Sequence, residues 1–444
     1  MISIGGVKTT EAITSKVRNV FYGWWILFAC WVITLYGGGS FFYGFSVFFK
    51  PISGEFGWSR AVTSGAFALS QAEGFIEGPI VGPLVDRFGP KKLMLIGISM
   101  VSVGFVVLSF VNSLLTYYLV YVVLLALGFN TGFFIASQTA VGNWFIKKRA
   151  LALGILTTAF GFGGGIMSPV IARLILNYGW RSAAVILGIG MAAIGLPPAL
   201  AVRHRPEQYG YLPDGETTKA DNSQPRYQEK DSQSEVPIRA TTMVDSSQEV
   251  NFTVWEALRT PAFWMLSVAF ALRTFAVSAV VVHQIPLLTD RGINEQTAAG
   301  VLGLMALMSV PGRLLFGFLG DRFNKRYLLA VTYILQALGL FILLKAQSIV
   351  QLYLFTLVFG LGWGAPVLLL AIRGDYFGRK HFGTIAGVQQ SVIAIGTIIG
   401  PIFAGWVFDI SQSYEVAFTA FIISVSIGAV ICFFAKPPKS PRKY

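Results

Sequence analysis

The chain has 444 residues, of which 54% are hydrophobic and only 12% are charged. A soluble domain carries about a quarter charged residues, so this composition excludes an ordinary soluble protein and predicts an all-α protein that spans a membrane. A net charge of +13 would suggest nucleic-acid binding in a soluble protein. Here the positive residues lie between apolar runs, so we attribute them to membrane topology and expect no nucleic-acid partner.

Twelve apolar runs are long enough to cross the bilayer, for which about 20 residues are needed. The predicted spans are 22–49, 60–84, 93–111, 114–142, 150–176 and 181–202, followed by 261–288, 296–320, 327–345, 349–373, 383–408 and 415–435. The stretch between the two sets is rich in Ser, Gln, Thr, Pro and charge, which indicates a flexible linker. We therefore predict a six-helix bundle over 1–202, a cytoplasmic linker over 203–253, and a second six-helix bundle with a short tail over 254–444.

The distribution of basic residues predicts the orientation. Most of the 34 Lys and Arg fall at the N-terminus, in the linker, in the C-terminal tail and in loops on the same side. The positive-inside rule places that side in the cytoplasm. We expect a multi-pass protein of the plasma or inner membrane with both termini cytoplasmic.

Two short motifs recur in both halves of the chain. Asp86-Arg87 follows the second span and Asp321-Arg322 follows the eighth, while Trp144-Phe145 and Tyr376-Phe377 precede the fifth and eleventh. Such duplication is how many transporters build halves that rock about a central site. The charged residues near these motifs are candidate latch residues that pair with helix ends in one state only: Asp86, Arg87, Lys91, Asp321, Arg322, Arg373 and Asp375. The competing interpretation is that they are only topology signals.

The two Asp-Arg loops resemble the signature of the major facilitator superfamily. The stretches Tyr22–Trp25, Phe56–Arg60, Asn143–Gly154 and Gly161–Gly165 are similar to those of its monocarboxylate porters and oxalate:formate antiporters. The resemblance covers nearly the whole chain and implies two pseudo-symmetric six-helix bundles around a central cavity. The animal carriers place an Asp four residues before an Arg in the eighth helix; here that position is Ser309 and the Arg is Arg313.

Arg313 is the main candidate for substrate binding. A charge within a span costs on the order of 3 kcal/mol, and a guanidinium can hold a carboxylate by two parallel hydrogen bonds. The alternative is that Arg313 snorkels to the nearby interface. Arg273, in the seventh span, is either a second cavity cation or the partner of a buried acid.

Neutral polar side chains in the spans complete the predicted substrate site. The resemblance aligns Gln389 with a lysine of the oxalate-type carriers, which favours one carboxylate over two. The remaining candidates are Asn130, Tyr36, Tyr43 and Gln284. Each could instead bond only to a neighbouring helix.

Three titratable residues are candidates for proton coupling. Glu73 and Glu77 share one face of the second span, and burial favours the neutral form of a carboxyl group. His283 titrates near neutral pH when unperturbed. Ion pairing across the halves or interhelical hydrogen bonding is the alternative for the two glutamates.

The sequence contains no Walker loop, no cluster of residues with metal-ligand spacing and no hydrolase elbow, so we expect no cofactor, no metal and no enzymatic activity. The resemblance implies secondary transport of a small monocarboxylate such as lactate or pyruvate, with a co-transported proton and without a required oligomer. Three alternatives remain: an organic-anion exchanger of the oxalate/formate type, an exporter of amphipathic cations, and a metabolite sensor that does not transport.

Overall fold

The computed structural model describes residues 21–145, 148–212, 214, 252–378 and 381–439, and these residues contain helices and no strand. The first bundle contains six long helices. They are α1 (Tyr22–Phe56), α2 (Arg60–Phe88), α3 (Pro90–Leu108), α4 (Leu114–Trp144), α5 (149–178) and α6 (180–201). The second bundle contains α7 (Pro261–Asp290), α8 (Glu295–Gly320), α9 (Lys325–Lys345), α10 (Ile349–Phe377), α11 (Phe382–Ser411) and α12 (Glu415–Phe434).

Ten continuous helical stretches in the described part of the chain are long and apolar enough to cross a membrane. One of them contains both α5 and α6, because Gly179 breaks the helix with φ 77° and ψ 161°. The left-handed region costs glycine little, since it has no Cβ. Together with the 29-residue α2, these helices confirm the predicted twelve-helix fold.

Local sequence signals set several helix ends. Ser59 accepts a hydrogen bond from the Val62 amide at the start of α2, and Ser113 forms a capping box with Thr116 at the start of α4. The predicted end of α1 at residue 49 is too early. The helix continues through Pro51 to Phe56, where Gly57 adopts φ 66° and ends it.

Helices α1 and α4 contain wide turns of π-helix, at Gly38–Tyr43 in α1 and at Val120–Ala126 and Asn130–Ile135 in α4. In α10 a 3-10 turn at Gly362–Gly364 separates two α-helical parts. Such departures from regular helix often occur at functional sites because they reorient side chains locally. All of them lie within the long helices, away from the helix ends.

The two bundles meet along two seams, α2 against α11 and α5 against α8. Glycines allow the helices to approach closely there. A Cβ on Gly405 would lie 2.6 Å from the Ala61 nitrogen, and one on Gly303 would lie 3.0 Å from the Gly165 carbonyl oxygen. Small residues at helix crossings favour this backbone-to-backbone packing.

The first residues of the predicted linker pack on the first bundle. The Trp144 indole donates to the Arg203 carbonyl at 3.1 Å, and the Arg203 guanidinium lies 4.1 Å from the centre of the Tyr22 ring. Residues 215–251, the main part of that linker, lie outside the described residues. The chain is described again from Phe252, whose amide donates to the Phe377 carbonyl at 3.0 Å.

Candidate functional site

A cavity of about 630 Å³ lies between the two bundles. We call the end of the molecule where α1 begins and α12 ends the terminal face, and the other end the opposite face. Polar side chains of Ser70, Gln71, Asn130, Arg373 and Gln390 contribute to the cavity wall. Ser70 lies in the opposite-face half of α2, whereas Arg373 lies near the terminal-face end of α10, so the cavity extends from the middle of the molecule toward the terminal face.

The remaining cavity wall is largely aromatic and apolar. Four phenylalanine rings from the first bundle line it, on α1, α4 and α5: Phe42, Phe129, Phe134 and Phe160. Apolar walls with a few polar groups are typical of small-molecule sites. Among the described lining residues the only charged side chain is a cation, Arg373.

Asn130 and Glu73 are neighbours at this cavity. Asn130 lines the wall at the start of a π-helical turn, and its Nδ2 donates to Glu73 Oε2 at 3.2 Å. The hydrogen bond holds a carboxyl group of α2 beside the cavity. The side chain of Glu77, the other predicted proton carrier on this helix, lies outside the described part of the structure.

Arg373 is positioned by Gln389. Its Nε donates to Gln389 Oε1 at 2.8 Å, and both side chains are buried. The sequence motif had suggested a latch at the terminal face for Arg373 and a substrate contact for Gln389. The structure brings the two together in one wall of the cavity.

Arg313 lies at the seam between α5 and α8. Its Nη1 donates to the Thr157 carbonyl oxygen in the first bundle at 2.8 Å, and its guanidinium lies 5.8 Å from the centre of the Trp363 ring. It also interacts electrostatically with the buried Tyr43 hydroxyl. Among the described residues no carboxylate pairs with Arg313. A partly buried cation without a carboxylate partner can accept an anionic ligand.

Arg273 and Gln284 are buried on α7. Arg273 is 3% exposed, and its Nε and Nη2 have no hydrogen-bond partner among the described residues. Neither polar atom of the Gln284 side chain has one there either. Tyr36, by contrast, donates to the Leu187 carbonyl at 3.1 Å within the first bundle. Buried polar groups without partners are costly, so the two α7 side chains are the more informative of these candidates.

His283 lies away from the cavity, toward the opposite face. Its Nδ1 is 2.9 Å from the Tyr414 hydroxyl and its Nε2 is 2.8 Å from the Pro401 carbonyl oxygen. A carbonyl only accepts, so Nε2 carries the proton and donates, and Nδ1 accepts from the tyrosine. Burial raises the pKa of the Tyr414 hydroxyl, which therefore remains a donor at physiological pH.

The latch candidates are spread over the terminal face. Lys91 donates to the Leu200 carbonyl at the end of α6 at 2.6 Å, and Lys325 forms an ion pair with Asp375 at 2.7 Å. Arg87 and Arg322 are exposed, and each stacks on a nearby phenylalanine. Asp321 ends α8, and the Asp86 side chain lies outside the described residues.

A charge cluster that sequence analysis did not identify joins the bundles at the opposite face. Asp290 of α7 pairs with Lys50 at 2.5 Å and with Arg60 at 2.6 Å. The two carboxylate oxygens of Asp409 each accept a backbone hydrogen bond at the start of α2, from Arg60 and Ala61, both at 2.9 Å. Arg60 also donates to the Tyr414 hydroxyl at 2.6 Å. These contacts close the opposite face.

A separate cavity of about 600 Å³ lies between α9 and α12. Its lining is apolar apart from Ser426, with exposed side chains such as Ile334, Phe341 and Val430. It is on the outside of the second bundle, where lipid chains contact a membrane protein. The chemistry of the cavity between the bundles is the more suitable for a polar solute.

Comparison with known proteins places the chain in a family. The model of the Major Facilitator Superfamily matches residues 29–368 and 286–444. The chain is 28% identical to Monocarboxylate transporter 12 of Xenopus laevis, over 94% of this chain and 89% of that protein. It is 26% identical to Monocarboxylate transporter 12 of Homo sapiens, over 98% and 84%, and 24% identical to an uncharacterised MFS-type transporter of Bacillus subtilis, over 92% and 94%.

The fold also matches a solved structure. A bacterial homologue of the human lysosomal transporter Spinster, in an inward-facing and occupied conformation, superposes with a TM-score of 0.68. The alignment covers 93% of this chain and 97% of that one at 16% sequence identity. At that identity the likeness concerns the fold alone.

Proposed function

Because the chain belongs to the major facilitator superfamily, we propose that it is a secondary transporter of small monocarboxylate anions, of the lactate and pyruvate type, that works by alternating access. The observation that carries this proposal is the chemistry of the cavity: an aromatic wall whose single charged group among the described residues is a guanidinium. The names of the relatives support the same substrate class.

In this mechanism the carboxylate enters between the bundles and is bound by Arg313, which lies at the α5–α8 seam and outside the described wall of the cavity. Arg313 supplies two-point hydrogen bonding from α8, and the Tyr43 hydroxyl adds a donor from the first bundle. Binding at the meeting point of the bundles favours their rocking, since the ligand contacts both. Arg273, on α7, is a second buried cation of the second bundle and adds positive potential to this region.

Movement of the bundles requires the opposite face to open. The Asp290 ion pairs and the Asp409 cap on α2 must break in that step, while the α5–α8 and α2–α11 seams reorganise. The exposed charges at the terminal face, Arg87 and Arg322 among them, are proposed to form latches in the other state, whereas Lys325 and Asp375 are already paired in this one. Following the positive-inside rule, we assign the terminal face to the cytoplasm and the chain to the plasma or inner membrane.

Proton coupling is proposed to use Glu73. The hydrogen bond from Asn130 holds this carboxyl group next to the cavity, where it is placed to take up a proton together with the substrate. Protonation would offset the negative charge of the substrate during the crossing.

Anion exchange is the second candidate function. Ser309 precedes Arg313 by one helical turn, is buried, and donates to the Ala306 carbonyl at 2.6 Å. A serine hydroxyl does not ionise at neutral pH, so it cannot release and rebind a proton during transport as a carboxyl group can. An exchanger needs no proton-binding group, because a second anion bound on the return step brings the protein back to its starting conformation.

Counterflow into proteoliposomes tests the substrate class. Vesicles are loaded with unlabelled pyruvate, and entry of trace labelled pyruvate is measured against competing lactate, oxalate and an amphipathic cation. The proposal predicts entry that lactate suppresses and the cation leaves unchanged. Entry equal to that of protein-free vesicles, for every anion tried, would refute it; competition by the cation alone would favour drug export.

A further inference from the structure

The cavity of about 600 Å³ between α9 and α12 is an open groove on the outer surface of the second bundle, with a floor of small side chains. Ala330, Ala337 and Ala429 line it together with Ser426, whose hydroxyl donates to the Ile422 carbonyl at 2.7 Å. That bond satisfies the hydroxyl within α12. The floor is therefore an apolar surface that suits a hydrocarbon chain.

Larger apolar side chains form the two walls of the groove. In a bundle that spans a membrane, their exposure indicates contact with lipid and does not by itself select a ligand. The shape and the charged ends of the groove make that selection. The walls are formed by Ile334, Leu338 and Phe341 of α9 and by Val430, Phe433 and Phe434 of α12.

The groove is about as long as one leaflet of the bilayer is thick. On α9 its lining runs from Ala330 to Phe341, which covers about 16 Å along the helix at 1.5 Å per residue. Half of the hydrocarbon core is about 15 Å thick. A membrane-spanning helix of a partner would leave about half of its length outside the groove, whereas one acyl chain of a lipid matches it.

Positive charge collects where the groove reaches the terminal face. Helix α9 begins there with Lys325 and Arg326, and the exposed Lys436 and Lys439 follow the end of α12. Lys325 forms an ion pair with Asp375 at 2.7 Å. The other three cations give this end of the groove an excess of positive charge.

The opposite-face ends of the same two helices have no such excess. Helix α9 ends at Lys345 and α12 begins with Glu415, and these two exposed side chains carry opposite charges. At the terminal face, Asp321 and Arg322 before α9 likewise carry opposite charges. An anionic headgroup is therefore attracted to the terminal-face end of the groove.

Arg326 connects this positive charge with the groove wall. Its Nη2 donates to the Tyr327 hydroxyl at 2.6 Å, and its guanidinium lies 4.5 Å from the centre of the Tyr327 ring. That ring lies 5.0 Å from the ring of Phe433, which lines the groove. Arg326 Nε has no hydrogen-bond partner among the described residues. A guanidinium with donors to spare binds phosphate oxygens by parallel hydrogen bonds.

We propose that this groove binds an anionic phospholipid of the leaflet at the terminal face, with one acyl chain along the alanine floor and the phosphate beside Arg326 and Lys436. Each cation near the membrane surface raises the affinity for an anionic headgroup about fivefold. Burial of the acyl chain between α9 and α12 adds apolar contact. The site belongs to one bundle and is independent of the solute that the protein transports.

Photoactivatable lipids test this site. The full chain is reconstituted in phosphatidylcholine vesicles that contain a trace of phosphatidylglycerol or of phosphatidylcholine, each with the same diazirine in its acyl chain. Mass spectrometry of peptides then identifies the labelled residues. We expect phosphatidylglycerol to label groove residues such as Val430 at least about fivefold more than phosphatidylcholine does. Equal labelling by the two lipids would indicate ordinary boundary lipid and overturn the proposal.

Charge variants locate the headgroup. Arg326→Gln combined with Lys436→Gln should reduce labelling by phosphatidylglycerol to the level of phosphatidylcholine, because both proposed phosphate contacts are lost. Lys345→Gln removes an exposed cation at the other end of α9 and is the matched control, with an unchanged preference. A preference that persists in the double variant, or that the control loses equally, would overturn the headgroup site.

A variant of the floor tests the position of the acyl chain. Ala337→Phe fills the groove and should abolish most labelling of Val430, while the exposed Ile395 of α11, outside the groove, keeps its labelling. Unchanged labelling of Val430 would place the chain elsewhere and contradict the proposal. If this variant does not fold, the charge variants decide, since they alter side chains at the protein surface.

A second copy of the chain is the competing occupant. Exclusion of both lipids from the wild-type groove, together with chemical cross-links between α12 helices of two copies, would assign the surface to a dimer and overturn the lipid site. Lipid labelling requires no transport, so its result is distinct from that of the counterflow experiment.

Discussion

Arg313 links the two bundles through a single hydrogen bond to the Thr157 carbonyl. A guanidinium has five N–H donors, so one such bond leaves capacity for a carboxylate. Arg313→Ala should reduce kcat/KM for pyruvate by roughly 10- to 100-fold, corresponding to about 1.5–3 kcal/mol for a bond to a charged group. Arg313→Lys should be intermediate, because an ammonium lacks the planar fork. Wild-type kinetics in Arg313→Ala would mean that this residue only joins the helices.

Glu73 is the residue on which the proposed proton coupling depends. Glu73→Gln keeps an acceptor for Asn130 Nδ2 but removes the titratable group. We expect the variant to lose stimulation of uptake by an inward proton gradient and to retain anion counterflow. Glu207→Gln, an exposed change outside the spans, is the control and should behave as wild type. Gradient-stimulated uptake in Glu73→Gln would show that another group couples transport to protons.

At the scale of elements, the start of α2 holds the opposite face closed. A carboxylate that accepts two backbone N–H groups at a helix N-terminus is stabilised by charge-assisted bonds and by the helix dipole. Asp409→Asn weakens both effects, and the population should shift toward opening of the opposite face by at least about fivefold, as about 1 kcal/mol requires.

Thiol labelling can measure that shift. A cysteine introduced at Ser46, whose hydroxyl donates to the Val282 carbonyl of α7, should react faster with a membrane-impermeant reagent in the Asp409→Asn background. The natural Cys30 and Cys432 are buried, which limits background labelling. Glu55→Gln is the matched control, because Glu55 pairs with Arg181 at the same face but within one bundle. Equal rates in both backgrounds would show that the Asp409 cap does not control opening.

The elements themselves were predictable from sequence, whereas their long-range contacts were not. Apolar runs and turn glycines predicted all twelve helices, because each signal is local. Arg373 was placed among latch residues because it lies near the Tyr376-Phe377 motif, whereas the structure places it in the cavity wall. The pairing of Arg60 with Asp290 and Asp409 depends on how the bundles meet. The sequence signal for this pairing was the presence of both basic and acidic residues at those ends of α1, α2, α7 and α11 that lie at the opposite face.

At the scale of the whole molecule, replacing the linker between the bundles distinguishes the transporter hypothesis from the sensor hypothesis. If the protein only transports, replacing residues 215–251 by a Gly/Ser segment of the same length should leave KM and maximal rate unchanged. Such a segment keeps the reach of the connection without its sequence. Loss of uptake with normal membrane insertion would indicate a specific role of this stretch, as the sensor hypothesis requires.

The repeat of motifs in the two halves predicted the two-bundle architecture, and the family match confirms that architecture. The cavity lining is harder to predict, because it combines side chains from six helices, α1, α2, α4, α5, α10 and α11. Gln389 illustrates the difference. Its sequence position suggested a direct substrate contact, while its geometry makes it the support of Arg373.

The most direct test of monocarboxylate transport is accumulation of labelled pyruvate in proteoliposomes driven only by an inward proton gradient. The proposed mechanism predicts an internal concentration above the external one, which collapses when a protonophore is added. An internal concentration that never exceeds that of protein-free vesicles, with counterflow also absent, would contradict it.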